Sequence, residues 1–387
     1  MPSTPETPKE PAQLATTRIV AGEKHKHKWR PVEIVAVAAL VALIGAGAAV
    51  ASVTASNNNQ AAAVVQPTAA ATLKLGYFGN VTHAPALVGL QEGFFQKDLG
   101  ATKLSTQVFN AGPAAIEALN AGAIDAAYVG PNPAINSFVK SSGASIRIIG
   151  GATSGGAELV VKPSITSAAQ LKGKVLATPQ LGGTQDVALR SWLAGKGFKT
   201  TPDGGGDVTI NPTDNSQTLK LFQEGKLDGA WLPEPWASRL VLQAGAKVLV
   251  NEASLWDKGQ FSTTVLIVNK SYLEQHPEAV KELLAGHVQA VEWLNSHKAD
   301  AAKVINAGLT VAAGKPLAEN VIDRSLTELS FTADPLAGTY PELLAHGVTA
   351  GVTKQANISG IFDLAPLNAV LKGDGLPAVS AAGLGEE

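Results

Sequence analysis

Cysteine is absent from the 387 residues. That excludes disulfides, thiolate metal sites, cysteine nucleophiles and an amino-terminal cysteine bearing a lipid. A chain that passes through an oxidising compartment loses nothing by lacking thiols. A basic excess is missing too, since 30 Lys and Arg stand against 32 Asp and Glu, a formal net charge of −2. Without clustered Lys and Arg interleaved with aromatics in the folded part, nucleic acid is not an expected partner. Histidine is scarce, with seven in all, and no Ser-His-Asp arrangement suggests itself. An enzyme would need an activated nucleophile and a base, so none is expected.

Long apolar runs are rare, and the one present is informative. Residues 34–53 are uncharged and follow Lys24, Lys26, Lys28 and Arg30. About 20 such residues span a bilayer as a helix, and basic residues on the amino side hold that side in the cytoplasm. Two readings stay open: an uncleaved anchor, or a secretory signal with a long amino region, for which the small residues at 49–51 and 53–55 suit cleavage. We therefore expect a disordered basic cytoplasmic segment at 1–31, an anchor or signal peptide at 32–55 and a flexible linker at 56–72. Folded structure should begin at Leu73, and the small-residue tail at 373–387 should be disordered.

What is present is a repeat. Residues 116–134 lie over residues 219–237 without a gap, at an offset of 103. The shared grammar is an amphipathic helix closed by Gly122 or Gly225, then Ile124-Asp125 or Leu227-Asp228, a short apolar strand and a proline-rich break. An earlier strand-loop-helix unit recurs in each half, with His83 falling on Asp186 and Phe95 on Phe198. Two copies imply two doubly wound α/β lobes, each fed by a parallel sheet. The expected divisions are lobe 1 at 73–165, completed by 264–372, and lobe 2 at 166–263. The chain would cross between lobes near 162–167 and 260–264, forming a hinge.

Ligands of such sheets sit outside the carboxyl ends of the strands, here the loops at 78–83, 130–133, 182–185 and 233–236. In the loop Gly182-Gly183-Thr184-Gln185, two glycines expose amides and Thr184 can cap a helix, so the positive helix start can hold an anion without a basic side chain. An ordinary cap is the plainer reading. No Lys of a phosphate-binding loop follows, which disfavours nucleotides. In lobe 1, Phe78, Asn80, Thr82 and His83 precede a helix; His83 reads better as a hydrogen-bonding or capping residue than as a metal ligand. Asn132, set between Pro131 and Pro133, should sit in a turn, either capping locally or pointing into the cleft. Trp231 belongs to a strand and a core, whereas Trp236 can cover an apolar ligand body and Glu234 can accept from an amine or hydroxyl.

Taken together, residues 76–95, 120–133, 182–186 and 231–236 resemble the solute-binding proteins of ABC importers for aliphatic sulfonates, taurine and nitrate. The resemblance runs in order from about Leu73 to Asn295. It implies a periplasmic-binding-protein clamshell that closes on one small anionic or zwitterionic solute and delivers it to a permease driven by an ATPase. The family's binding positions fall on Asn80, His83, Asn132, Gly183 to Gln185, Glu234 and Trp236. No cofactor or metal is implied. A monomer on the outer face of the membrane, held there by the amino-terminal helix, is expected. Many relatives use a lipidated cysteine instead, which this chain lacks. An enzyme of the same fold and a ligand-sensing ectodomain are the alternatives.

Overall fold

The computed structural model describes residues 70–387. The segment and anchor expected at 1–55, and the linker up to residue 69, lie outside the described residues. Among the described residues no helix is long and apolar enough to cross a membrane.

The first run comprises β1 (Thr72–Phe78), α1 (Ala84–Gln91), α2 (Phe94–Asp98), β2 (Lys103–Phe109), α3 (Gly112–Asn120), β3 (Ala126–Val129), α4 (Pro131–Lys140) and β4 (Ile146–Gly155). The second comprises β5 (Ala157–Val161), β6 (Val175–Thr178), α5 (Thr184–Gly195), β7 (Thr209–Pro212), α6 (Asn215–Gln223), β8 (Gly229–Pro233), α7 (Trp236–Ala244) and β9 (Lys247–Asn251). The third comprises β10 (Ser262–Asn269), α8 (Lys270–Gln275), α9 (Pro277–Ser296), α10 (Lys298–Ala313), α11 (Glu319–Thr327), β11 (Leu329–Phe331), α12 (Tyr340–Thr349), β12 (Phe362–Asp363), α13 (Ala365–Gly373) and β13 (Gly385–Glu386).

Two sheets result. One runs β13-β12-β4-β10-β3-β1-β2, with β11 paired to β4, and the other runs β7-β6-β8-β5-β9. Both are mixed rather than wholly parallel. The triplets β2-β1-β3 and β7-β6-β8 are parallel, as helical crossovers require. Strand β10 enters antiparallel to β3 and β4, and β5 antiparallel to β8 and β9. These are the strands that arrive from the other lobe without a crossover helix, so they enter reversed. Alternation along the second sheet separates two cores. Leu159, Val161 and Trp231 pack on one face, and Val160, Ala230 and Leu232 on the other, the two-residue period of a strand.

The Asp of the repeat has a structural role in both copies. Asp125 Oδ2 accepts from Lys74 N at 2.8 Å and Asp228 Oδ2 from Val175 N at 3.0 Å. Each Asp thus joins its strand's start to the neighbouring parallel strand.

Three expectations need correcting. The first crossing lies at Gly155–Gly156, not 162–167, because β5 already belongs to the second sheet. Both glycines have positive φ, 81° and 73°, and a Cβ on Gly155 would come within 2.7 Å of Glu328 O, so only glycine fits this turn. The return crossing is the stretch from Asn251 to Ser262, which holds two 3-10 turns. Asn132 is helical rather than in a turn: Pro131 opens α4, where the missing N–H of proline costs nothing because first-turn N–H groups have no intrahelical acceptor. The tail is ordered, since β13 pairs with β12, Ala381 is fully buried and the Asn368 side chain brackets Val379 with two hydrogen bonds. Its composition resembled a linker, but an open sheet edge supplied backbone partners that composition does not reveal.

Candidate functional site

Between the two sheets lies a cavity of about 30 Å³, room for about two water-sized groups. Lobe 1 lines it with Phe78, Asn80, Thr82 and His83 from the loop after β1, Asn110 to Gly112 after β2, and Gly130 after β3. Lobe 2 contributes Pro179 and Gly183 to Gln185 after β6, Asn215 after β7, and Pro233 at the end of β8; Thr263 and Thr264 of β10 complete the wall. Every one of these loops follows the carboxyl end of a strand, except the two β10 threonines.

Four helices begin at this wall: α3 at Gly112, α4 after Gly130, α5 after Gly183 and α6 at Asn215. None of the four has a side-chain cap. Their positive dipole ends therefore meet the space between the lobes, and the free first-turn N–H groups come chiefly from α5 and α6, because Pro113 in α3 and Pro131 and Pro133 in α4 carry none. Among the described residues no Asp, Glu, Lys or Arg lines the cavity. The arrangement suits a small anion held by neutral donors.

Two wall atoms are buried without a partner, Thr184 Oγ1 and Asn215 Oδ1. Thr184 had been expected to cap α5, but Gly183 holds that position and Thr184 opens the helix, which leaves its hydroxyl unused. Opposite it stands Gly130 of lobe 1, where a Cβ would lie 2.1 Å from Thr184 Oγ1. Only glycine lets the lobes meet this closely.

His83 accepts from Phe78 N through Nδ1 at 3.2 Å and stacks on the Phe78 ring at 4.2 Å. Burial pushes its pKa down to about 3, so the ring is neutral and carries its proton on Nε2. It is a donor to the wall and no base at neutral pH. At the cleft's edge Trp236 Nε1 donates to Asn80 Oδ1 at 2.9 Å, and Thr82 N donates to Glu234 O at 3.4 Å. Both bonds join lobe 2 to lobe 1.

Of the residues singled out in the sequence, the cavity brings together Phe78, Asn80, Thr82, His83, Gly183, Thr184 and Gln185. Pro131, Asn132, Gly182, Glu234 and Trp236 lie outside its wall. Asn132 Nδ2 donates to Leu343 O at 3.0 Å and anchors α12, and Gly182 N is taken by Asp186 Oδ2 at 2.9 Å. Glu234 is fully buried. Its Oε1 accepts from Arg324 Nη1 at 2.9 Å, and its Oε2 from Ser238 N at 3.1 Å and Ser325 Oγ at 2.9 Å. Arg324 Nη2 also reaches Glu158 at 2.7 Å. The carboxylate expected to meet a ligand amine has its partners inside the protein, because a buried charge needs compensation whether or not ligand is present. Trp236 faces an outer groove, under the Arg239 guanidinium at 4.4 Å.

Sequence reasoning missed Asn110, Asn215, Thr263 and Thr264. A signal existed for the two asparagines, since Asn110 stands between an outer strand and the helix that opens the repeat, and Asn215 is the first residue of the corresponding helix in lobe 2. Nothing local marked the threonines of β10.

Comparisons with known proteins bear on the fold and the family. The taurine-binding periplasmic protein of Escherichia coli K12 is 27% identical over 210 residues, covering 53% of this chain and 62% of that protein. The chain thus spans less than two thirds of that relative's length. Among solved structures, the alkanesulfonate-binding protein SsuA of Xanthomonas axonopodis pv. citri, bound to MOPS, superposes with a TM-score of 0.62 at 23% identity, covering 74% of this chain and 96% of its own. A Candida albicans gene product that exhibits the generic periplasmic binding protein structural fold superposes at 0.55, with 14% identity and coverage of 82% and 97%. The two-sheet architecture is thus the periplasmic-binding-protein fold. Residues 66–308, more than half of the chain, match the NMT1-like family, and the chain belongs to that family.

Proposed function

We propose that the protein is the extracytoplasmic solute-binding component of an ABC importer, closing its lobes on one small oxyanion-bearing solute and passing it to a permease with ATPase subunits. One observation carries this reading: a cavity enclosed by both lobes, ringed by four uncapped helix starts, with no ionised side chain in its wall. The ligand residues are Asn80, Thr82, His83, Asn110, Gly183 to Gln185 and Asn215. The binding function named for the taurine- and alkanesulfonate-binding relatives supports it.

An aliphatic sulfonate fits better than taurine. A taurine ammonium needs a carboxylate, and Glu234 is committed to Arg324. The enzyme alternative lacks support, because His83 is the one ionisable group singled out at the wall that could move a proton, and it stays neutral down to about pH 3. Attachment to the membrane through residues 32–55 belongs to the same proposal and rests on the apolar run and its basic flank; a monomeric state completes it.

Titration calorimetry and thermal shift with methanesulfonate, taurine and nitrate test it. Methanesulfonate at 100 times its dissociation constant should stabilise by about 2.7 kcal/mol, with small-angle scattering showing a compact form. No stabilisation by any of these anions overturns the reading.

A further inference from the structure

The cavity holds an anionic head and little else, so the rest of any larger solute must lie outside it. A groove of about 400 Å³ adjoins the cavity and shares Asn80, Asn110 and Asn215 with it. Its walls are apolar on one side, with Val108, Phe109, Leu309, Ala312 and Leu317, and aromatic on the other, with Trp236. Val108 leaves 41% of its surface exposed there. The charged side chains at the rim are Asp214, Arg239 and Lys315, two cations against one anion.

We propose that this groove is a second subsite that takes the tail of the solute, and that it selects oxyanions bearing an uncharged apolar chain or ring of four or more carbons over short or ammonium-tailed ones. The inference rests on the oxyanion-binding reading of the cavity. Its physical basis is the hydrophobic gain from covering Val108, Ala312 and Leu317, about fourfold in affinity for each methylene buried. The rim adds discrimination. An ammonium would meet Arg239 and Lys315, whereas an uncharged tail avoids that repulsion.

The test is calorimetry on the full chain with methanesulfonate, hexanesulfonate, benzenesulfonate and taurine. Hexanesulfonate and benzenesulfonate should bind at least tenfold tighter than methanesulfonate. Ala312→Gln should remove most of that gain and leave methanesulfonate affinity unchanged. Ala312 lines this groove and not the neighbouring one walled by Pro179 and Pro212, so the variant tells the two apart. Leu317→Ser, which also lines this groove and not the neighbouring one, should reduce the gain about threefold and serves if Ala312→Gln folds poorly. Equal affinity for methanesulfonate and hexanesulfonate, or a gain that survives Ala312→Gln, overturns the subsite while leaving the cavity's function intact. Failure of every sulfonate to bind overturns both.

Discussion

The two lobes satisfy their buried polar groups by different chemistry. The buried histidines among the described residues, His83 and His287, both stand in lobe 1, whereas the buried acids and arginine, Glu158, Asp186, Arg190, Glu234 and Glu252, all lie between 158 and 252. Equivalent positions show the contrast directly. His83 accepts from the backbone of its loop at Phe78, and its counterpart Asp186 accepts from Gly182 while pairing with Arg190 at 2.9 Å. The Tyr128 hydroxyl donates to His287 Nδ1 at 2.8 Å, the Nε2 of that ring donating to Gly151 O, and its counterpart Trp231 donates to Glu252 at 2.7 Å. The same repeat has been finished with neutral partners in one lobe and charged ones in the other.

The consequence is opposite pH behaviour. Burial lowers His83 to about 3 and His287 to about 4. The unfolded chain then binds more protons below the ordinary value of 6.5, and the stability of lobe 1 falls as pH drops through that range. Burial raises Glu252 to about 7, and Glu158 likewise despite its bond to Arg324. Here the folded state binds more protons between about 4.5 and 7, so the stability present at low pH is lost as pH rises through that window.

The comparison is broken most severely at Arg324. Arg324→Met leaves Glu158 and Glu234 buried without their cation, and should cost about 3–5 kcal/mol at pH 8 in chemical denaturation. The loss should shrink at pH 5, where protonation relieves the unpaired carboxylates. Equal loss at both pH values would make the contact one of packing alone. Glu252→Gln keeps an acceptor for Trp231 and removes the charge; stability at pH 8 should rise by about 2 kcal/mol, and the decline between pH 5 and 8 should flatten. Where the lobes meet, Gly130→Ala puts a methyl into Thr184. It should weaken methanesulfonate tenfold or more in calorimetry, about 1.4 kcal/mol, while the melting temperature without ligand holds. The smallest effect is at His287→Gln, which should reduce the loss of stability on acidification from pH 6.5 to 5 by about 1 kcal/mol, read from thermal denaturation across that range.

These contrasts were only partly legible in the sequence. The helix, glycine, aspartate and strand of the repeat are local, each set by a few neighbouring residues, and they predicted two α/β units and the loops at their strand ends. Phe78, Asn80, Thr82, His83 and Gly183 to Gln185 line the cavity for that reason. Glu234 was misjudged because its partner Arg324 lies 90 residues away, and Asn132 because a proline pair reads as a turn unless a helix is known to start there. The lobe boundary was displaced because Gly155–Gly156 carries no composition shift around it, only a backbone conformation.

A wall without ionised groups leaves the cargo's own charge uncancelled. If the cavity takes a monoanion, the loaded protein is one unit more negative than the empty one, and the added charge sits on the plane where the lobes join. Loading is then an electrical event as well as a change of shape, so filled and empty molecules should part company in a native gel.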